Sequence, residues 1–395
     1  MRKFSFLILC LALLPAALPA RNLGEVPVTG HRGVIAIQVS GATPELNGLA
    51  RLAFATHGRY ELVSGPGSFY QIRFSPAGPS AVTVRITRGP GHEPFASETV
   101  SGNGLRGALL RAADVAVAKT NGLGLRGYFT SKIAFVAGAG MRKDVYAGDL
   151  FFAAYRRLTA DRADALFPSW SPDGTRLLYT SFRRGFPDIY VIDLRSLTLS
   201  TFESFRGTNL GARFSPDGRR VAMVLTGDSG NSQIWMSDAE GHGLRELTHF
   251  RSNKASPCWS PDGSRIVFAS SPGPQLYLIS AYGGSPRRLT LGISSYCAEP
   301  TWSRTDPDKI AFTVREGGRY QIAVISVSTG EARVVSHAPF DGIEPSWLPD
   351  GRHLVYTARD AYHSRLCILD TESGKSTPIS PLSFGPAEQA DVWSR

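Results

Sequence analysis

Only four of the 395 residues are cysteine, and no CxxC pair occurs. A zinc ribbon or a dithiol redox centre needs that spacing, so neither is expected. The eight histidines form no HxH or HxxxH pair. Each is expected to be solvated or to cap a turn, a metal site gathered from several repeats being the alternative. A GxSxG nucleophile elbow is absent, as is a phosphate-cradling glycine loop. The single long apolar run, Phe4 to Leu14, is shorter than the ~20 residues of a membrane-spanning helix. Lys and Arg outnumber Asp and Glu by 43 to 33, a formal charge of +10. No basic run is interleaved with aromatics, so the excess reads as a diffusely basic, solvated surface rather than a nucleic-acid footprint.

What is present is turn chemistry. The chain has 41 glycines and 26 prolines, yet 42% of its residues are hydrophobic, enough to fill a core between many turns. Phe167 to Asp193 (FPSWSPDGTRLLYTSFRRGFPDIYVID) shows the unit. In Ser171-Pro172-Asp173-Gly174, Pro presets φ, Asp bonds its own backbone and Gly accepts a positive φ. The flanking runs are rich in β-branched, aromatic and aliphatic residues, as strands are. The unit recurs at Phe214, Trp259, Trp302, Trp347 and Trp393, at intervals of 44, 45, 43, 45 and 46 residues after Trp170. A period of this length, with about four strands in each repeat, marks a β-propeller.

Taken in order, residues 1–20 carry Arg2 and Lys3, an apolar stretch and a small-residue end, the layout of a secretory signal. Cleavage after Ala17 or after Ala20 fits equally. Export leaves Cys258, Cys297 and Cys367, read as buried free thiols; Cys258 and Cys297 are placed in neighbouring repeats near one mouth, a bridge between them being the alternative. Residues 21–127 lack the repeat and read as a small α/β domain. Its strands are expected at 34–39, 60–63 and 80–87, with a helix at 44–56 capped by Thr43 and another at 105–119. Arg88 to Glu98 reads as a Gly- and Pro-rich linker. Residues 128–395 form the propeller. Its first blade begins at Lys132 without a WSPDG segment, and Asp391-Val392-Trp393-Ser394 supplies the missing inner strand. The expected fold is therefore an α/β N-terminal domain followed by an all-β six-bladed propeller closed by the C-terminal strand. Gly227-Asp228-Ser229-Gly230 spells a serine-protease tetrapeptide but falls between two strands and reads as a hairpin turn.

The segment leading into each innermost strand lies nearest the propeller axis, so its side chains are expected to line one mouth. Candidate binding residues there are Asp164, Asn209, Arg251, Asn253, Lys254, Tyr296, Glu299, Asp341 and Glu344. No catalytic, cofactor or metal residue is expected.

The WSPDG turn, the I-Y-x-x-D strand (Asp188 to Asp193) and the R/E-L-T strand (Arg245 to Thr248, Arg287 to Thr290) resemble the repeat of the TolB family. GYFTSKIAFV (Gly127 to Val136) and RSNKASPCWSPDG (Arg251 to Gly263) resemble it too. TolB-like proteins are periplasmic components of the Tol–Pal envelope system. The resemblance implies a non-enzymatic adaptor whose propeller mouth binds a peptidoglycan-associated lipoprotein (Pal) and which supports outer-membrane integrity and constriction. It also implies contact between the N-terminal segment and a TolA-like inner-membrane protein. Arg21 to Val28, which stands at that place, is short, contains proline and is only loosely similar, and blade five has lost its Pro-Asp-Gly turn. The alternative class is a secreted propeller enzyme or glycan-binding protein with a site in the channel.

Overall fold

The computed structural model describes residues 33–65, 67–139, 142–227 and 230–394. The expected signal segment, its expected cleavage site and Arg21 to Val28 lie outside the described residues, as do Asp228 and Ser229. The N-terminal part runs β1 (Ile35–Gly41), α1 (Pro44–Thr56), β2 (Tyr60–Leu62), β3 (Tyr70–Gly78), β4 (Ala81–Arg88), β5 (Glu93–Ser101) and α2 (Gly104–Thr120). Its sheet has the order β2-β1-β3-β4-β5, parallel across β2-β1-β3 and antiparallel beyond. Strand alternation sends Ile37, Val39, Ile72, Phe74, Val82, Val84 and Ile86 to a buried face, where α1 and α2 cover them. Thr43 caps α1 by accepting the Leu46 N–H at 3.3 Å, and Pro44 opens the helix.

Two strands escaped the sequence pattern. The stretch read as a linker at Arg88–Glu98 is a hairpin: β4 turns at Gly89 and returns as β5, paired from Arg88↔Glu93 to Ala81↔Ser101. β5 is an edge strand exposed along most of its length, so it has no apolar alternation to betray it, and its Pro94 is tolerated at an edge. β3 was missed because Pro76 interrupts its buried face after Ile72 and Phe74, and its other face carries polar Gln71, Arg73 and Ser75.

Six four-stranded sheets follow. Their innermost strands are Ala387–Trp393 in blade 1, Ala165–Trp170 in blade 2, Asn209–Phe214 in blade 3, Lys254–Trp259 in blade 4, Cys297–Trp302 in blade 5 and Asp341–Trp347 in blade 6. Blade 1 is completed by Lys132–Ala139, Arg142–Asp149 and Tyr155–Arg157, so both ends of the propeller chain share one sheet. Around Gly227–Gly230, Arg220–Thr226 and Ser232–Asp238 pair directly, which is the hairpin read from sequence.

The blade aromatics stitch neighbours together. Trp170 Nε1 donates to the Asp391 carbonyl at 3.2 Å, Trp259 Nε1 to the Arg213 carbonyl at 3.0 Å and Trp347 Nε1 to the Thr301 carbonyl at 3.1 Å. The basic residue after each turn reaches over the next aromatic: Arg176 lies 4.9 Å from the Phe214 ring centre, Arg220 4.8 Å from Trp259 and Arg265 5.1 Å from Trp302.

The closing strand departs from the expected alignment by one residue. Each inner strand has a bulge, after which the second residue carries the aromatic: Trp347 follows the Ile343/Ser346 shift, and Val392 follows the Glu388/Asp391 shift. Val392 therefore occupies the repeat's aromatic position and packs into the core shared with blade 6. Trp393 points to the opposite side, joins Trp170 between blades 1 and 2, and donates its Nε1–H to the Pro172 carbonyl at 3.0 Å. The ring lies where a Cβ on Gly174 would stand, 2.4 Å away.

Among the described residues, Cys258, Cys297 and Cys367 are free, buried thiols. Cys258 and Cys297 do not share one mouth: Cys297 opens its strand, whereas Cys258 lies one residue from the end of its own.

Candidate functional site

All six inner strands run the same way, from the lead-in segments to the turns after the aromatic, so the propeller has two distinct faces. The α/β domain occupies the turn face. Arg126 Nε donates to the Pro349 carbonyl at 2.9 Å, Lys375 Nζ to the Ala55 carbonyl at 2.7 Å and the Gly58 N–H to His353 Nε2 at 3.1 Å. The mouth with the sequence-predicted residues faces away from it.

At the bulge of each inner strand one residue takes a left-handed conformation: Phe167, Gly211, Ser256, Glu299, Glu344 and Gln389, with φ between +52° and +58°. Five of the six are not glycine, a strained choice that a bulge uses to redirect a side chain. Here the side chains form a one-way chain around the channel. Glu299 Oε2 accepts the Glu344 N–H at 3.0 Å, Glu344 Oε2 accepts the Gln389 N–H at 3.2 Å and Gln389 Oε1 accepts the Phe167 N–H at 2.9 Å. Threonines of the next strand add to it: Thr313 donates to Glu299 at 2.7 Å and Thr357 to Glu344 at 2.9 Å. Blades 5, 6 and 1 thus give the channel a polar, acidic side, and Phe167, Gly211 and Ser256 give it an uncharged one.

Burial raises both carboxyls. Glu299 is shifted upward, and Glu344, flanked by Glu299 and Glu388, is pushed up to about 8. Glu388 is itself ion-paired with Lys143. Between pH 4.5 and 8 the folded chain keeps a proton on Glu344 that the unfolded chain has lost, so this group makes stability fall as pH rises through that window. Glu344→Gln retains the acceptor for Thr357 and Gln389 and removes the charge. It should stabilise the fold by roughly 1–3 kcal/mol at pH 8 and change it little at pH 5. Thermal melts at the two pH values check this; an equal effect at both would contradict it.

The nine predicted residues divide into two groups. Glu299 and Glu344 line the channel, Tyr296 stacks edge-on against Tyr320 beside them at 5.0 Å, and Arg251 is exposed on the rim. The others are spent on structure. Asp164 accepts the Lys143 N–H at 3.2 Å, Asn253 the Ser232 N–H at 3.0 Å and Asp341 the Tyr320 N–H at 3.0 Å, each tying the hairpin of the preceding blade. Asn209 is fully buried and ties its own lead-in loop at Phe205 to the hairpin of blade 2 at Pro187. Lys254 is buried too, donating to the Ser252 carbonyl at 2.7 Å. Short polar side chains beside irregular backbone are consumed by that backbone, which a list of polar loop residues cannot foresee.

Sequence reasoning missed the rim's apolar residues. Phe186 and Tyr362 sit on hairpins between second and third strands, and Phe250, Leu291 and Leu382 sit on connections into the next blade. Phe186, Leu291 and Tyr362 are each 72% exposed. They share this face with exposed Arg162, Arg183, Arg184, Arg251, Arg315 and Arg319. Large apolar side chains held in water around one opening are the mark of a protein-binding surface.

Of the two roles expected for the histidines, solvated or turn-capping, the solvated one fails at His57 and His353, both fully buried between the domains. In blades 2, 3 and 4 the turn serine donates to the turn aspartate, as Ser171 does to Asp173 at 2.6 Å. Blade 6 carries Leu348 in place of that serine and His353 in place of the following basic residue. Asp350 turns instead to His353 Nδ1 at 2.5 Å, and Asp370 takes Arg352 in a two-pronged pair at 2.8 and 2.6 Å. Among the described residues, His57, Asp350 and His353 bring ligand-type atoms within 4.8 Å of one another. Both nitrogens of His353 already have partners, Asp350 and Gly58, so the trio reads as a docking network. The two breaks in the repeat, Leu348 and His353, were the signal for it.

The fold and site define a class: a six-bladed propeller with one open, apolar-rimmed channel mouth and a small α/β domain docked on the opposite face. Residues 122–395 match the family described as PD40, TolB beta propeller domain, and the chain belongs to that family. It is 34% identical over 164 residues to the Tol-Pal system protein TolB of Bordetella pertussis, and equally to those of Bordetella parapertussis and Bordetella bronchiseptica. Those matches cover 41% of this chain and span 37% of the length of the relatives. Among solved structures, TolB from Acinetobacter baumannii superposes with a TM-score of 0.80 at 22% identity, covering 94% of this chain and 99% of that one. A putative TolB from Agrobacterium tumefaciens gives a TM-score of 0.55 at 23% identity, over 64% of this chain and 92% of that one. At such identities the likeness speaks for the fold.

Proposed function

We propose that this chain is a non-enzymatic adaptor of a Tol-Pal envelope system, exported to the periplasm. Its propeller mouth binds the globular domain of a peptidoglycan-associated lipoprotein, and its N-terminal part contacts a TolA-like inner-membrane protein. Exchange between these partners couples the outer membrane to the cell wall and supports constriction at division. Family membership supports the system, and the relatives carry its name. The observation that carries the site is the mouth itself: apolar Phe186, Phe250, Leu291, Tyr362 and Leu382 around a channel, among exposed arginines on the side away from the docked domain. Such a rim fits a partner whose face is apolar at its centre and acidic at its edge.

Asn253 is a poor place to test this, because its side chain anchors Ser232. Arg251 and Leu291 are exposed on neighbouring lead-in segments. The double variant Arg251→Glu, Leu291→Asp should keep the melting temperature and weaken lipoprotein binding at least tenfold, about 1.4 kcal/mol. Unchanged affinity in a folded double variant would remove the mouth from the interface.

A further inference from the structure

On the face of the N-terminal sheet turned away from α1 and α2, the only charged residues of β1, β3, β4 and β5 are arginines, while the edge strand β2 brings Glu61 to that face opposite Ala36. Alternation places Gln38 and Ser40 of β1, Gln71, Arg73 and Ser75 of β3, Thr83, Arg85 and Thr87 of β4, and Ser97 and Thr99 of β5 on it. No aspartate or glutamate from these strands shares that face; Glu98 points to the helix side, near Lys119. Arg73 and Arg85 stand directly opposite each other in the β3–β4 ladder, and Ser40 and Ser97 continue the row on either side. Both arginines are exposed, and neither has a carboxylate partner within ion-pair distance among the described residues. Arg73 donates only to the neutral Gln71 side chain, at 3.4 Å.

Like charges facing each other across a ladder destabilise a sheet. A sheet built only to be solvated has no reason to hold two guanidinium groups there. The row opens into a groove of about 590 Å³, whose lining also includes Arg51 of α1. A second irregularity lies alongside: the Thr87 hydroxyl, one register step from Arg85 on the same face, is buried with no hydrogen-bond partner.

We propose that this face is a binding site for a phosphate-class oxyanion held between Arg73 and Arg85. Each guanidinium presents N–H donors in a planar fork. A planar carboxylate is satisfied by one fork, whereas a tetrahedral phosphate has oxygens enough for both. The bound anion converts the repulsive pair into two charge-assisted contacts, and the serine and threonine hydroxyls around it supply neutral donors. The groove lies in the α/β domain and needs nothing of the propeller mouth, so it stands independently of the adaptor reading.

The full chain without its signal segment, in low-salt, anion-free buffer, should bind inorganic pyrophosphate saturably and gain melting temperature as the anion is added. The affinity should fall at least tenfold in Arg73→Gln, Arg85→Gln, and salt should weaken it. The two single variants supply a readout that a merely structural role would not give. Removing one charge should raise the melting temperature without anion and abolish the anion-dependent gain. Vesicles containing phosphatidic acid form the second arm. Binding to pyrophosphate marks a free phosphate as the ligand, and binding to the vesicles alone marks a lipid headgroup. Binding to neither, or equal binding by the double variant, would overturn the proposal, as would single variants that melt lower without anion.

Discussion

Deleting residues 387–395 is expected to abolish cooperative folding of the propeller. These residues supply the inner strand of blade 1, which pairs with Lys132–Ala139 from Ala387↔Ala137 to Trp393↔Lys132. Without them the second strand of blade 1 becomes an open edge inside the ring. Ala387, Ala390, Val392 and Trp393 are all nearly buried. At roughly 1.5–3 kcal/mol for each larger side chain, with the ladder hydrogen bonds added, their loss approaches the 5–15 kcal/mol that holds a whole domain together. Asp391 adds a polar tie, accepting the Trp170 N–H at 2.8 Å and pairing with Arg213 at 3.3 Å across the channel floor. The single variant Trp393→Ala should cost about 3–5 kcal/mol. Because Trp393 lies between blades 1 and 2 rather than in the aromatic position of its own blade, Val392→Trp should not rescue it. Calorimetry on the truncated and substituted chains checks both; a truncated chain that melts like the intact one would refute ring closure.

The second large effect concerns docking of the α/β domain. Asp370→Asn keeps the shape of the side chain but leaves Arg352 without its counter-charge in a nearly buried site. Removing one partner of a buried pair costs about 3–5 kcal/mol. Asp370 stands against Gly58 of the α/β domain, where any Cβ would collide with it, so the loss is felt at the interface, although its other partners, the Ser373 hydroxyl and the Glu372 N–H, belong to blade 6. The single unfolding transition should therefore split in two, the α/β domain melting first. Acid should do the same to the unaltered protein. Burial, reinforced by neighbouring His353, lowers the His57 pKa well below 6.5, so the folded chain refuses a proton that the unfolded chain accepts. Stability from this group is complete above pH 6.5 and declines below it. Asp350 and Asp370 are held below the usual carboxylate value of 3.8 despite burial, through His353 and, for Asp370, Arg352. Their contribution is lost as pH falls below that value. A transition that stays single in Asp370→Asn, or an interface indifferent to pH between 7 and 4, would contradict this account.

The parts legible in the sequence were those written by local chemistry or by repetition. The turn tetrapeptides and their aromatics fixed the blade count, and Thr43-Pro44 gave the first residue of α1. What stayed hidden depended on register and on neighbours. The one-residue shift at Val392 is invisible because Trp393-Ser394 copies the repeat, and only the interval of 46 residues, the longest of the set, betrays it. The left-handed ring is equally silent, since Phe167, Ser256 and Glu299 have nothing in common as residue types. Asn209 and Lys254 look like surface residues in sequence, yet loop carbonyls draw them inward. His353 was readable in principle as a departure from the basic residue of the other turns, but its partner His57 lies 296 positions earlier.

On the proposal above, the open mouth receives a lipoprotein partner. The most direct measurement is a calorimetric titration of the chain, without its signal segment, with the soluble domain of the peptidoglycan-associated lipoprotein from the same organism. One-to-one binding is expected, lost in Arg251→Glu, Leu291→Asp and kept in Arg73→Gln, Arg85→Gln. Absence of binding by the folded protein, or binding undisturbed by changes at the mouth, would contradict it.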